Sequence, residues 1–597
     1  MKKEIHNNVT KIFYMIRYIW KYTPCYMGIL LLQVLGNALW DILVGMLFLK
    51  YLFDAIEAGA DYSEILYRAV IVMVYRLILI LYGKWIENIY RPKANLKLHE
   101  GMQTELYQKA RKLDLAYYDN PDFYNQFIWA IHESDTRAVK IMSNLSDLLS
   151  SMISLLGMSA VFLAIDWIAA LAVLVSSALS FFIRIKANKI KYQKMEEMKP
   201  LIRKTDYITR VFYQGDFAKE LRMGDMVKIL QDDFDKSMDQ KISCAKKYAP
   251  GILIISLLSQ LMTTYLFNIG IVGYLVVRYM LDSDFTLGGF SVGINATWKL
   301  FVQVSRIIDC FSRLNEDSVY ADKFRTFTEL EPQIKNGYEK AAKFETLEFQ
   351  QVSFSYPFGN QKNREVLKNI SFTIRKGEKI ALVGYNGAGK TTLTKLAMRL
   401  YDVTGGSIKY NGKEIKEYDI ESYRAHIGAV FQDYKIFAAT VAENVAGGEY
   451  REDQNMEITE ALKSAAFCNK LETLPKGIHT MLTREFDEQG VNLSGGEMQK
   501  IAIARAFAKP YDIIIMDEPS SALDPLAEYE LNKVIGAAAK DKTMIFISHR
   551  LSTTRMADRI YMFDNGEIVE QGKHEDLMRL NGKYAQMFSI QAKKYHL

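Results

Sequence analysis

Two rhythms divide the chain. Up to about residue 315 the apolar positions run in long blocks, while beyond about 340 they come in short strand-like bursts. Those bursts are separated by helix-period stretches and glycines. The long blocks predict six membrane-spanning helices, at 25–52, 64–86, 141–164, 167–185, 249–280 and 286–312. Several exceed the ~20 residues that a bilayer crossing requires. The stretch GILIISLLSQLMTTYLFNIGIVGYLVV, from 251, carries no charge. Asp166 and Trp167 alone separate the third and fourth blocks, which predicts a tight helical hairpin.

Charge placement orients these spans. The 597 residues are 49% hydrophobic and 24% charged with a net charge of +6, averages that conceal two unlike halves. Lys2, Lys3, Lys11, Arg17 and Lys21 precede the first span. Residues 84–140 and 184–204 are also basic, whereas 53–65 and the turn holding Asp282 and Asp284 carry no Lys or Arg. Cytoplasmic loops collect Lys and Arg, so both termini are expected in the cytoplasm. The basic amphipathic start has no cleavage-like segment, and no removed signal peptide is expected. The two long inner loops have helical composition, so the spans should continue beyond the membrane as helices. Cys25, Cys244, Cys310 and Cys468 share no metal-ligand spacing and read as ordinary thiols.

Phosphate chemistry appears in the second half. GYNGAGKT (384–391) follows the apolar strand KIALVG and precedes a helix, the setting that G-x-x-x-x-G-K-[ST] requires. Backbone N–H groups of Gly387, Gly389 and Lys390 can wrap phosphate oxygens. Gly384, Tyr385, Asn386 and Ala388 complete the loop, and Thr392 follows it. The Lys390 ammonium can reach the outer phosphates, and the Thr391 hydroxyl can hold Mg2+. DIIIMDEPSSALD (512–524) is a buried strand ending in two acids. Asp517 is placed to hold the metal and Glu518 to orient or deprotonate an attacking water. MIFISHR puts His549 at the end of another apolar strand, where a γ-phosphate contact is expected. LSGGEMQK (493–500) sets Ser494, Gly495 and Gly496 at a helix start, a second arrangement suited to an anion.

In this order, Tyr356 in FSYP, the P-loop, Gln432 in VFQDY, LSGGE, IIIMDE, SALD and His549 resemble the nucleotide-binding domain of ATP-binding cassette (ABC) proteins. With six spans ahead of it, the chain resembles a half-transporter of the exporter (type IV) architecture. The resemblance implies a multidomain membrane protein with a six-helix all-α transmembrane domain at 1–325. A linker at 326–340 and an α/β P-loop NTPase domain at 341–597 would follow. It implies that Tyr356 stacks on adenine and that Gln432 senses the metal and the water. Asp524 would belong to a loop coupling two sites, and His549 would be the switch histidine. Residues 113–127 and 217–225 resemble coupling helices, and REFDEQG (484–490), with Glu488, resembles the exporter contact loop.

The same likeness explains the two anion sites, because the signature would close over ATP bound by a second chain. Two complete sites then need two half-transporter chains, in a homodimer or a heterodimer, with ATP and Mg2+ between them. The family's usual Gln after LSGG is Glu497 here, expected to lie along its own helix N-terminus or beside the partner's triphosphate. Within the spans, Gln33, Asn37 and Asp41 recur every four residues, with Arg76 a candidate partner for Asp41. Lys299, Gln303 and Arg306 share another face. These polar groups suggest a mixed-charge cavity for an amphipathic peptide, drug-like or lipid-like substrate, exported by alternating access. The alternatives are an importer of a metal chelate or cofactor on the exporter fold, and a membrane ATPase acting as a sensor or scaffold. No nucleic acid partner is expected.

Overall fold

The computed structural model describes the backbone of residues 2–261, 268–357, 364–519, 525–538, 542–548 and 554–593. The chain divides into two compact units, Met1–Arg111 with Gln126–Glu329, and Lys112–Asn125 with Leu330–Leu597.

The first unit is built of long helices. Tyr62–Lys112 spans 51 residues, Pro121–Ile165 45, Trp167–Tyr213 47 and Leu287–Glu329 43. At 1.5 Å per residue each exceeds ~60 Å, about twice the hydrocarbon thickness of a bilayer, so each apolar block continues into a polar helical extension. Residue 166 is the hinge of the expected hairpin. The buried Asp166 leaves helical geometry, its carboxylate accepts from the Ala169 N–H at 2.9 Å, and Arg278 pairs with it at 2.5 Å. The side chains of Leu66, Val70, Met73, Leu77 and Leu81 are exposed along one helix, a surface that water penalises and lipid does not.

Among the described residues, five helices are long and apolar enough to cross a membrane: Pro24–Glu57, Tyr62–Lys112, Thr136–Ile165, Trp167–Tyr213 and Met226–Gln260. The fifth expected span is distributed over Met226–Gln260 and the shorter Asn268–Leu281, with 262–267 outside the described residues. The sixth, expected at 286–312, forms within Leu287–Glu329 but is too polar for that class. Its Asn295, Lys299, Gln303 and Arg306 interrupt the apolar run. Its inward face of Gly288, Gly289, Val292, Gly293, Ala296 and Leu300 is buried.

Within Pro24–Glu57, residues Trp40–Phe48 are π-helical. Asp41 lies at the start of this segment and lines the same cavity as Asn37. The Asp41 carboxylate accepts from Lys299 Nζ (3.4 Å), Gln303 Nε2 (3.0 Å) and Ser154 Oγ (3.2 Å). Arg76, the partner expected from sequence, instead lies over the Trp40 ring at 4.7 Å. The Arg76 pairing is therefore corrected to Lys299. A cationic guanidinium gains from an aromatic face, and Asp41 is already satisfied by three donors.

The second unit carries two sheets. A four-stranded antiparallel sheet has the order β2 (Glu365–Arg375), β1 (Thr346–Ser355), β4 (Gly405–Tyr410), β5 (Lys413–Glu414). The larger sheet has the order β10 (Glu567–Gly572), β9 (Arg559–Asp564), β3 (Lys379–Gly384), β8 (Thr543–Ile547), β7 (Ile513–Asp517), β6 (Ile427–Val430). It is parallel except at the β9–β10 edge. Every residue of β7 and β8 is buried, which accounts for their unbroken apolar runs. Residues 112–125 belong to this unit: Ala116 is buried in one cluster with Phe344, Tyr401, Tyr418 and Tyr423.

Candidate active site

Ligands of open parallel sheets gather beyond the carboxyl ends of the strands. Here β3 ends in the P-loop and β7 ends at Asp517, with β8 between them. The P-loop helix Lys390–Ala397 starts from Gly389, whose φ is +101°. A side chain at Gly389 would meet Leu367 Cδ2 at 2.6 Å, so only glycine closes the loop against β2. The buried Lys390 folds back, donating from Nζ to the carbonyls of Gly384 (2.8 Å) and Tyr385 (2.9 Å). Burial pushes its pKa below the ordinary lysine value, an effect partly offset by the Glu518 and Asp517 carboxylates.

Beside it, Thr391 Oγ1 donates to Asp517 Oδ2 at 2.8 Å. Burial raises the Asp517 pKa despite that bond. Glu518, the next residue, has a φ of +50°, unusual for a non-glycine, and its N–H is held by the Ile547 carbonyl at 2.9 Å. Such a backbone costs on the order of 1–3 kcal/mol and persists where its surroundings over-determine it. The Glu518 carboxylate is met by Gln432 Nε2 at 3.2 Å. Tyr356, just after β1, reaches Thr392 Oγ1 at 3.0 Å and packs edge-on against Tyr401.

These groups border one cavity of about 1130 Å³. Tyr356, Tyr385, Asn386, Gly387, Ala388, Gly389, Lys390, Thr391, Thr392, Gln432 and Glu518 all line it. Gly384 and Asp517 lie just behind, bonded to Lys390 and Thr391. Among the described lining residues none comes from the signature. Asp524 and His549 lie outside the described residues. The oxygen-rich set of Thr391, Asp517 and Gln432 suits a hard divalent ion that keeps phosphate and water ligands. Among the described residues no group of three or more His, Cys, Asp or Glu is placed to hold a metal by itself.

Sequence reasoning missed part of this wall. Asp119, Arg364, Lys368, Lys395, Asp564 and Asn565 also line the cavity. Asp119 accepts from the Tyr401 hydroxyl, bringing the 112–125 segment to the cavity rim. The D-N-G run at 564–566 signals a hairpin turn in sequence, but not that the turn borders a ligand site.

The signature forms the start of helix Gly495–Phe507. Ser494 and Gly495 are exposed. The Ser494 hydroxyl accepts from the Glu497 N–H at 3.4 Å, and the Glu497 carboxylate accepts from the Ser494 N–H at 2.8 Å. This reciprocal pair is a capping box. Lys470 Nζ binds the other carboxylate oxygen at 3.0 Å. Tyr434 donates to the Gly495 carbonyl at 2.8 Å, and Gln499 Nε2 donates to the Glu518 carbonyl at 3.2 Å.

Comparison with known proteins agrees with this geometry. The ABC transporter family profile matches residues 367–521. The subtilin transport ATP-binding protein SpaT of Bacillus subtilis is 30% identical over 84% of this chain and 81% of its own. An ATP-dependent lipid A-core flippase of Photobacterium profundum is 26% identical over 96% and 97%. A bacterial Atm1-family ABC exporter with ATP bound shares the fold, with a TM-score of 0.75, 23% identity and coverage of 95% and 97%. The ABC domain implies ATP binding, and the apolar helices place the protein in a membrane. The chain belongs to the ABC transporters, as an ATP-hydrolysing exporter that carries its membrane helices and its ATPase domain on one polypeptide.

Proposed function

We propose that this chain is one half of a dimeric exporter that moves an amphipathic substrate by alternating access, with two ATP·Mg2+ units buried between paired ATPase domains. The reading rests on one observation above all. The P-loop, Glu518 and Gln432 line a single cavity with Asp517 just behind Thr391, while none of its described lining residues comes from the exposed signature. A helix-opening signature that lies away from its own chain's cavity fits a nucleotide held by a second chain, either a copy of this one or a related half-transporter. Tyr356 would stack on the adenine, and the P-loop with Lys390 would hold the phosphates. Thr391, Asp517 and Gln432 would hold Mg2+, which supplies charge neutralisation on the phosphates. Glu518 would polarise the attacking water, oriented by Gln432. His549 and Asp524 would act at the γ-phosphate and at the seam. Both termini and the ATPase domain would lie in the cytoplasm, on the side of the Lys- and Arg-rich loops.

For the substrate, the supporting feature is a cavity of about 500 Å³ in the helical unit, lined by Asn37, Trp40, Asp41, Arg76, Asp147, Arg306 and Arg313 among others. Charges of both signs beside an indole suit a molecule that is polar at one end and apolar at the other. The decisive experiment is reconstitution into liposomes with ATP outside. ATP-dependent accumulation of a fluorescent amphipathic peptide or lipid in inside-out vesicles, abolished by Glu518→Gln, supports the proposal. ATP turnover that no amphiphile stimulates, with no solute movement, overturns it.

A further inference from the structure

The carboxylate of Glu497 sits one turn into the signature helix, where the reading above brings a partner's triphosphate. A carboxylate facing that anion would oppose closure, yet the structure turns it elsewhere. One oxygen is held by the Ser494 N–H at 2.8 Å and the other by Lys470 Nζ at 3.0 Å. Lys470 comes from a separate helix, Cys468–Thr473, and its neighbourhood is tied to the signature helix by Lys500, whose Nζ donates to the Ala466 carbonyl at 3.0 Å. Both partners are only partly exposed, the Lys470 side chain 32% and that of Glu497 27%. Burial of Glu497 opposes ionisation. The Ser494 N–H and the Lys470 ammonium outweigh it and hold the carboxyl below the usual glutamate range, so the group remains an anion at neutral pH.

We infer that Lys470 is a positioning residue for the signature: it clamps and neutralises Glu497 so that Ser494, Gly495 and Gly496 present only donors to the partner's ATP. The inference rests on the two-chain reading of the signature. Removing the ammonium leaves an uncompensated carboxylate, held by one N–H, at the surface that must meet a polyanion. Replacing Glu497 with Gln removes the need for Lys470, because Gln keeps the reciprocal cap.

The test is a double-mutant cycle on the full-length protein in lipid nanodiscs, reading KM for Mg·ATP and the maximal ATPase rate. Lys470→Met should raise KM about two- to fivefold, the upper part of the range for a partly exposed ion pair. Lys470→Arg should retain most activity. Lys470→Met in the Glu497→Gln background should have no effect beyond that of Glu497→Gln alone. That rescue also excludes misfolding as the cause of the single-mutant defect. A Lys470→Met variant that behaves as the parent overturns the inference, as does one equally impaired with Gln at 497. Ser494→Arg tests the underlying reading separately. If it leaves ATPase intact, the signature does not meet nucleotide and the two-chain reading fails, whatever the Lys470 variants do.

Discussion

Tyr434 donates its hydroxyl to the carbonyl of Gly495 at 2.8 Å. Two residues earlier in the chain, Gln432 meets the Glu518 carboxylate. A short segment therefore touches both the nucleotide cavity and the signature of the same chain. Tyr434→Phe loses one hydrogen bond, about 1 kcal/mol. The expected outcome is a several-fold fall in ATPase with unchanged binding of a fluorescent ATP analogue to the P-loop. An unchanged ATPase rate would show that the signature is held without this bond.

Glu518→Gln keeps the shape of the side chain and removes its charge. If Glu518 polarises the attacking water, phosphate release falls by roughly 10²–10⁴-fold, the span of general base catalysis. Nucleotide should stay trapped, which retention of radiolabelled ATP after gel filtration measures. Loss of binding together with hydrolysis would place Glu518 in nucleotide affinity instead.

Asp517 links function and stability. Its folded pKa is raised above 3.8 by burial. The favourable protonated form is thus fully populated below the unfolded pKa, and its contribution is lost as pH rises through the folded value. At neutral pH the buried carboxylate destabilises the nucleotide-free fold. Asp517→Asn should raise the Tm of the nucleotide-free protein at pH 7, with the gain shrinking toward pH 4, while Mg2+-dependent hydrolysis is lost. A lower Tm at pH 7 would mean that its hydrogen bond to Thr391 outweighs desolvation.

In the helical unit, Gly45 makes room for the Asp41–Lys299 pair. A methyl at Gly45 would meet Lys299 Nζ at 2.3 Å, the far end of a flexible chain that can move aside. Gly45→Ala should therefore fold, displace Lys299 and reduce substrate-stimulated ATPase, and Lys299→Met should do the same. Removing one member of a partly buried pair leaves a charge unmatched, so Asp41→Asn with Lys299→Met should be better tolerated than Lys299→Met alone. Thermal unfolding in detergent compares the two, and equal losses would show that the pair carries no coupling.

Local signals made much of this protein legible. The β-strand before the P-loop, the acidic pair ending β7 and the helix-opening Ser494 are each written in a few consecutive residues. Asp166 shows the same on the membrane side, as a single polar residue between apolar blocks that breaks and caps a helix. Less legible was the polar sixth helix, whose buried face of small residues meets neighbours that periodicity does not name.

What the sequence alone determined is the set of membrane-length apolar blocks, the alternating strand–helix domain and the residue types of a nucleotide site, because period and motif depend on neighbours along the chain. Tertiary structure decided which distant groups meet. Asp41 chose Lys299, 258 residues away, over Arg76. Thr391 met Asp517 across 126 residues, and segment 112–125 joined the ATPase unit. Glu497 turned to Lys470, and Glu518 took a left-handed backbone at a strand end. Such choices are settled by burial and by competition among donors for one carboxylate, energies that exist only once the chain has packed.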